Sequence, residues 1–184
     1  MTHPVLHDAV TLNHFGSVSR MDVLQTRHEH SDMPLWTRAV AEEIKKGAIQ
    51  GHHHCKVVMD ARWLGEPAEI HSRDQREYYR ILVGLSDGQG PPTKNKGEAE
   101  SIFVAEHNGG TFLTDDSGAY DFAERRPKLA IGKVRDSIDV LRSAVAMGEL
   151  SKEDACDLAL QIEGNGRSFR GEHRGRITPN YFTC

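Results

Sequence analysis

Pro4-Val-Leu-His-Asp8-Ala-Val-Thr-Leu12 is the stretch on which the reading of this chain turns: a short apolar, β-branched run with one aspartate set into it. Runs of this kind, four to eight residues long and bounded by polar residues, read as strands buried in a sheet. The expectation is a strand over Val5 to Leu12 running into a turn, with Asp8 toward its carboxyl end. Three more acidic sites follow at wide intervals, in Ala41-Glu42-Glu43-Ile44, Gly97-Glu98-Ala99-Glu100-Ser101 and Leu113-Thr114-Asp115-Asp116. They fall at expected strand ends or in expected helices, where a wound fold can gather them.

Outward from that first strand, Ser17 is placed to cap a helix carrying Met21 and Leu24. Thr37 caps a second helix, with Val40 and Ile44, that stops at Gly47 with Lys45 and Lys46 in its last turn, where cations suit the helix dipole. Lys56 to Leu64 reads as a strand, and Ser72 as the cap of a helix with Tyr78, Ile81, Leu82 and Leu85 on its apolar stripe. Asp87 to Gly97 is rich in breakers and basic residues and reads as a loop. A helix over Glu98 to Glu106, a strand over Thr111 to Thr114, a short helix from Ser117 and a strand over Leu129 to Ile131 follow. Val134, Ile138, Leu141 and Val145 recur with helical spacing up to Gly148. Ser151-x-x-Asp154 is a capping box for a last helix with Ala155, Leu158, Ala159 and Ile162. Strands alternating with helices predict a three-layer α/β/α sandwich around a mostly parallel sheet. Residues 1–165 form one domain in this reading, and 166–184 a basic, partly ordered tail.

Composition narrows the function classes. A chain of 184 residues with net charge −4 is large enough for one core and is not a bulk polycation, so a polyanion has to be met by a local basic patch. There is no apolar run of membrane-spanning length and no secretory signal pattern, so cytoplasm is the default location and no membrane partner is expected. Cys55, Cys156 and Cys184 form no C-x-x-C pair, which argues against a disulfide framework or a structural zinc site. His52-His53-His54-Cys55 cannot converge tetrahedrally on one ion and reads as a polar loop. No G-x-S-x-G or glycine-rich phosphate loop is present.

In open parallel sheets, ligands bind beyond the carboxyl ends of the strands. Asp8 and Asp115/Asp116 stand at such ends, and Glu43 and Glu98 lie on helices able to point there. Clustered carboxylates repel one another and suit a hard divalent cation. Glu42 and Glu43 point about 100° apart, so one of them faces the cleft. Asp60 also ends an apolar run, but no acidic helix lies between it and Glu98.

These residues resemble the PIN-domain ribonucleases, and most closely the bacterial branch that includes toxins of toxin–antitoxin pairs. The resemblance rests on Leu6-His-Asp8-Ala-Val-Thr-Leu, Val40-Ala-Glu-Glu43-Ile-Lys-Lys-Gly47, Gly97-Glu98-Ala-Glu-Ser and Leu113-Thr-Asp115-Asp116, and continues through Ile138 to Gly148 and Ser151 to Leu160. It covers residues 4 to 165. It implies a PIN-like sandwich and an endoribonuclease dependent on Mg²⁺ or Mn²⁺, with Asp8, Glu43, Glu98 and Asp116 as catalytic residues. The same residues and Asp115 would be metal ligands, Asp115 and Asp116 competing for the main role, and Thr114 would add a nearby hydroxyl. An RNA substrate, a cognate antitoxin and a possible homodimer are the implied partners. Lys94, Lys96, Arg167 and Arg170, with Arg174 and Arg176, are candidate phosphate contacts. A PIN-like scaffold that binds RNA or protein without cutting, and a nuclease acting on DNA, are the competing readings.

Overall fold

The computed structural model describes residues 3–26, 35–86, 94–129 and 132–182. It is a mixed α/β protein with a three-stranded parallel sheet ordered β1 (Val5–His7), β2 (Thr111–Leu113), β3 (Val134–Arg135). Val5, Leu6 and His7 lie opposite Thr111, Phe112 and Leu113, and Phe112 and Leu113 lie opposite Val134 and Arg135. The helices are α1 (Ala9–Ser17), α2 (Asp22–Gln25), α3 (Arg38–Ile49), α4 (His53–Met59), α5 (Gln75–Leu85), α6 (Lys96–Asn108), α7 (Ser117–Glu124), α8 (Ser137–Ala146) and α9 (Lys152–Gly164).

Pleating sends successive strand residues to opposite sheet faces. Leu6, Phe112 and Val134 accordingly join a core with Tyr78, Ile81, Ile102 and Ala123 from α5, α6 and α7. Leu113 joins a larger core with Leu12, Phe15, Val40, Ile44, Val58, Leu141 and Leu158 from α1, α3, α4, α8 and α9. The sheet thus separates two apolar layers, and its short strands end together at one edge.

Several boundaries differ from the sequence reading. The first strand stops at His7, because the Asp8 side chain accepts the Ala9 amide at 2.6 Å and starts α1, whose buried Ala9, Leu12, Phe15 and Gly16 keep helical spacing. Ser17 therefore closes α1 instead of opening a helix; its hydroxyl donates to the His14 carbonyl, and α2 begins at Asp22. Helix α3 runs past Gly47, whose missing side chain has another use: a Cβ there would stand 2.5 Å from Cys55 Sγ on α4. The expected strand over Lys56 to Leu64 is α4 followed by a 3-10 turn, Arg62–Leu64. Tertiary packing against α1 and α3 decides this run, with Cys55 and Val58 buried at helical spacing.

Downstream, Ser72 begins a 3-10 turn and α5 starts at Gln75. The expected loop from Asp87 lies outside the described residues up to Thr93. Leu129 lies in a turn and the rest of the strand expected there, residues 130 and 131, falls outside the described residues. The third strand is Val134–Arg135, so Val134 is not part of α8. Asp136 caps α8 through a reciprocal bond with Asp139, and Ser151 caps α9 with Asp154, the latter as expected. Residues 166–182 are not a loose appendage: Phe169 and Phe182 are 1% and 0% exposed and belong to the larger core.

Candidate metal-binding cleft

Asp8 is buried where β1 gives way to α1, its amide donating to the Leu113 carbonyl of the neighbouring strand at 3.0 Å. One carboxylate oxygen accepts from the Ala9 amide, and the other accepts from Thr114 Oγ1 at 2.8 Å. Thr114 Oγ1 in turn accepts the Asp116 amide at 3.1 Å, so this hydroxyl ties the first acid to the fourth. Asp116 is exposed at the start of α7, where it accepts the Ala119 amide at 2.7 Å. Glu98 occupies the first turn of α6. That turn can lie close to α3 because residue 97 is glycine: a Cβ there would meet Val40 Cγ2 at 3.1 Å. The close approach brings Glu98 toward Glu43, one turn beyond Val40.

Glu43, Glu98 and Asp116 line one open cleft of about 520 Å³ together with Lys46, Lys94 and Lys96. Asp8 does not line it but is buried close enough to feel the charges of Glu98 and Glu43. Burial, then the charges of Glu98 and Glu43, push its carboxyl well above the usual range against the opposing bonds from Thr114 and Ala9. Burial and the charges of Glu43 and Asp116 raise Glu98, against its own backbone amide and Lys94. Burial raises Glu43 as well, with Lys46 opposing. Asp8 thus feels Glu98 and Glu43, and Glu98 feels Glu43 and Asp116, across elements far apart in sequence. Among the described residues, no three of these acids bring ligand atoms within 4.8 Å of one another.

Glu42 lines the cleft beside Glu43 and pairs with Arg38 at 3.1 Å, so both acids of α3 border the opening, where the sequence reading has one of them there. Glu100, read as solvated in sequence terms, is half-buried and accepts the Ala39 amide at the start of α3. Asp115 is turned away from the cleft, into the core. Its carboxylate accepts from Thr11 Oγ1 at 3.0 Å, from Ser137 Oγ at 2.5 Å and from the Ser137 amide at 3.3 Å, with His14 Nδ1 3.2 Å away. Asp115 is buried and does not line the cleft, so its expected role as a cleft ligand does not fit its position; it clamps α1 to α8. Replacing Ser137 by Ala leaves that buried carboxylate short of a donor and is expected to cost about 1–3 kcal/mol. Urea denaturation would register it as a lower midpoint at unchanged slope.

Of the basic residues expected to grip phosphate, Lys94 and Lys96 line the cleft. Arg167 lies against the His54 ring at 2.6 Å. Arg170 is buried: it donates to Asp136 at 3.2 Å and to Glu172 at 3.4 Å, and its guanidinium sits over the Tyr120 ring. It is not available to nucleic acid in this conformation.

Asp136, Glu172 and His173 form a cluster that sequence reading missed, with ligand atoms all within 4.8 Å of one another, and could hold a metal ion. His173 Nε2 lies 2.7 Å from Asp136 Oδ2, and its Nδ1 lies 2.8 Å from the Tyr181 hydroxyl. Burial alone would raise Asp136, but the His173 bond and charge, the Asp139 amide and Arg170 together hold it below the usual range. Arg170 supplies positive charge to two of the three candidate ligands, so the cluster is balanced by the chain itself. Asp136 stands past a strand in a D-x-x-D capping pattern, a signal that was present, but His173 lies in the segment read as a tail. No family model, curated protein or solved structure matches the chain.

Proposed function

We propose that this protein is a divalent-metal-dependent endoribonuclease with a PIN-like α/β/α sandwich, and that its site is the cleft of Asp8, Glu43, Glu98 and Asp116. The observation that carries this reading is the convergence of Glu43, Glu98 and Asp116 on one open cleft, beside the buried Asp8 at the carboxyl edge of a parallel sheet. Acids from three separate segments face one opening, with a fourth buried near them, and like charges gathered in this way suit a cation. The donor set is all oxygen, which fits Mg²⁺ or Mn²⁺ rather than softer ions. Asp8, Glu98 and Asp116 would hold the ion, and Glu43 a further ion or a coordinated water. A bound ion supplies an activated water and offsets charge on the phosphoryl oxygens and the leaving group.

The chain's own groups prepare that chemistry. Thr114 and the Ala9 amide fix Asp8, and the α7 amide at Ala119 fixes Asp116, so neither has to reorganise. Lys46, Lys94 and Lys96 at the rim attract the phosphodiester backbone. The resemblance further suggests a toxin acting in the cytoplasm, a cognate antitoxin covering the acidic cleft, and a homodimer. Among the described residues, no helix is long and apolar enough to cross a membrane.

Titrating Mn²⁺ into metal-free protein tests the reading, since an ion that binds only the folded state raises the melting temperature by mass action. The expected result is a rise that Glu98→Gln abolishes, with Mn²⁺-dependent cleavage of single-stranded RNA but not of a matched DNA. An absent rise at millimolar ion would leave the non-cutting scaffold, and preferential DNA cleavage would replace the substrate.

A further inference from the structure

Helix α5 has two unlike faces. Tyr78, Ile81 and Leu82 are buried against α6 and α7. On the other side, Arg76, Tyr79, Arg80 and Val83 are all exposed, Tyr79 by 56% and Val83 by 45%. At 100° per residue these four fall within an arc of about 100°. No acid interrupts that arc; Glu77 lies beside it, 3.8 Å from Lys128. Arg73, in the turn before the helix, extends the basic stripe, with Asp74 near it at 3.6 Å. In a chain of net charge −4, an acid-free strip of arginines around an exposed tyrosine is a local exception.

The strip is also well placed. Asn95 Nδ2 donates to the Leu85 carbonyl, which ties the end of α5 to the start of α6, where Lys94, Lys96 and Glu98 line the cleft. The helix leads away from that rim over about 10 Å between Val83 and Arg76.

We propose that this face of α5 binds single-stranded RNA outside the cleft, with Arg76 and Arg80 on backbone phosphates and Tyr79 stacked on an unpaired base. The choice of RNA rests on the nuclease reading; the binding chemistry does not. Planar guanidinium groups suit phosphate, and an aromatic ring accepts any base that is not already stacked in a duplex. Val83 adds apolar contact beside the ring.

The test is fluorescence anisotropy of a labelled single-stranded RNA 20-mer with the full-length protein in EDTA, from low to physiological salt. Each phosphate contact on a single strand contributes about 0.7 to the salt slope, so Arg76→Glu with Arg80→Glu should flatten it by about 1.4 and weaken binding at least tenfold. Tyr79→Ala should weaken binding about tenfold, and Tyr79→Phe should restore it. All four positions are exposed, and an unchanged Mn²⁺-dependent rise in melting temperature would show the fold and the cleft intact. Affinity and slope within twofold of wild type for both variants would overturn the inference, whether or not the protein cleaves. Binding through α5 without any Mn²⁺-dependent cleavage would sustain it and overturn the nuclease reading. Loss of a dimer in sedimentation with RNA affinity unchanged would overturn it in favour of a second copy on this face.

Discussion

Asp8→Asn is expected to yield a protein that no longer cleaves RNA and yet melts higher than wild type in metal-free buffer. Both effects have one cause. The Asp8 carboxylate is buried, faces the charges of Glu98 and Glu43, and is stabilised by the Thr114 hydroxyl and the Ala9 amide. The amide keeps an oxygen for Ala9 and removes the repelling charge. On the proposed function it also removes the central ligand, so the rate should fall by about 10³ and the Mn²⁺-dependent rise should vanish.

The pH dependence follows the same logic. A carboxyl raised in the fold binds a proton that the unfolded chain releases, so stability from this group grows as pH falls through the raised value. The gain is complete below the unfolded value of about 4. Glu98 and Glu43 are raised too, so they add in the same direction. Asp136 behaves oppositely: its lowered carboxyl stabilises the fold above the unfolded value, and that is lost only as pH falls through the lowered one. Between neutrality and about pH 4.5 the cleft dominates. The melting temperature of Asp8→Asn minus that of wild type should therefore shrink steadily on acidification without metal. A gap that stays constant from pH 7 to 5 would show that Asp8 is not charged against its neighbours.

The acidic order was legible because each acid sits beside a local signal. Asp8 and Asp116 follow apolar runs, and Glu98 lies in the first turn of a helix, next to a glycine that close packing requires. The distinction between Asp115 and Asp116 was only half legible. The T-x-D pattern favours Asp116, but only the packing of α1 against α8 reveals that Asp115 is consumed by Thr11 and Ser137. Lys56 to Leu64 misled because its β-branched Val57 and Val58 speak for a strand, whereas the surfaces of α1 and α3 require a helix over Cys55 and Val58. Residues 166–182 misled for the converse reason. Their polar composition hides two phenylalanines and a histidine whose partners lie far away in sequence.

That segment carries the second large expected effect: a chain ending at Asn165 should fail to fold cooperatively. Truncation removes Phe169 and Phe182 from the core, and each buried phenylalanine is worth about 3–5 kcal/mol. It also strips Asp136 of His173 and Arg170, and breaking a buried ion pair costs about 3–5 kcal/mol more. These losses are not strictly additive, but together they rival the whole stability of an ordinary domain, about 5–15 kcal/mol. Circular dichroism in urea should show a broad, non-cooperative transition; a sharp one at the full-length midpoint would refute the argument. His173→Ala is the gentler form of the same test. It keeps both phenylalanines and leaves Arg170 on Asp136, so the protein should fold with a lowered midpoint. Asp136 adjoins Ser137, Ser137 holds Asp115, and Asp115 precedes Asp116 in the cleft. Loosening the first of these contacts should therefore weaken Mn²⁺ binding as well as stability. Phe182→Ala removes core packing but no hydrogen bond of that relay, so it should lower stability and reduce the affinity for the ion much less than His173→Ala does. Equal loss of Mn²⁺ affinity in both variants would mean that the segment supports the cleft only by holding the fold together.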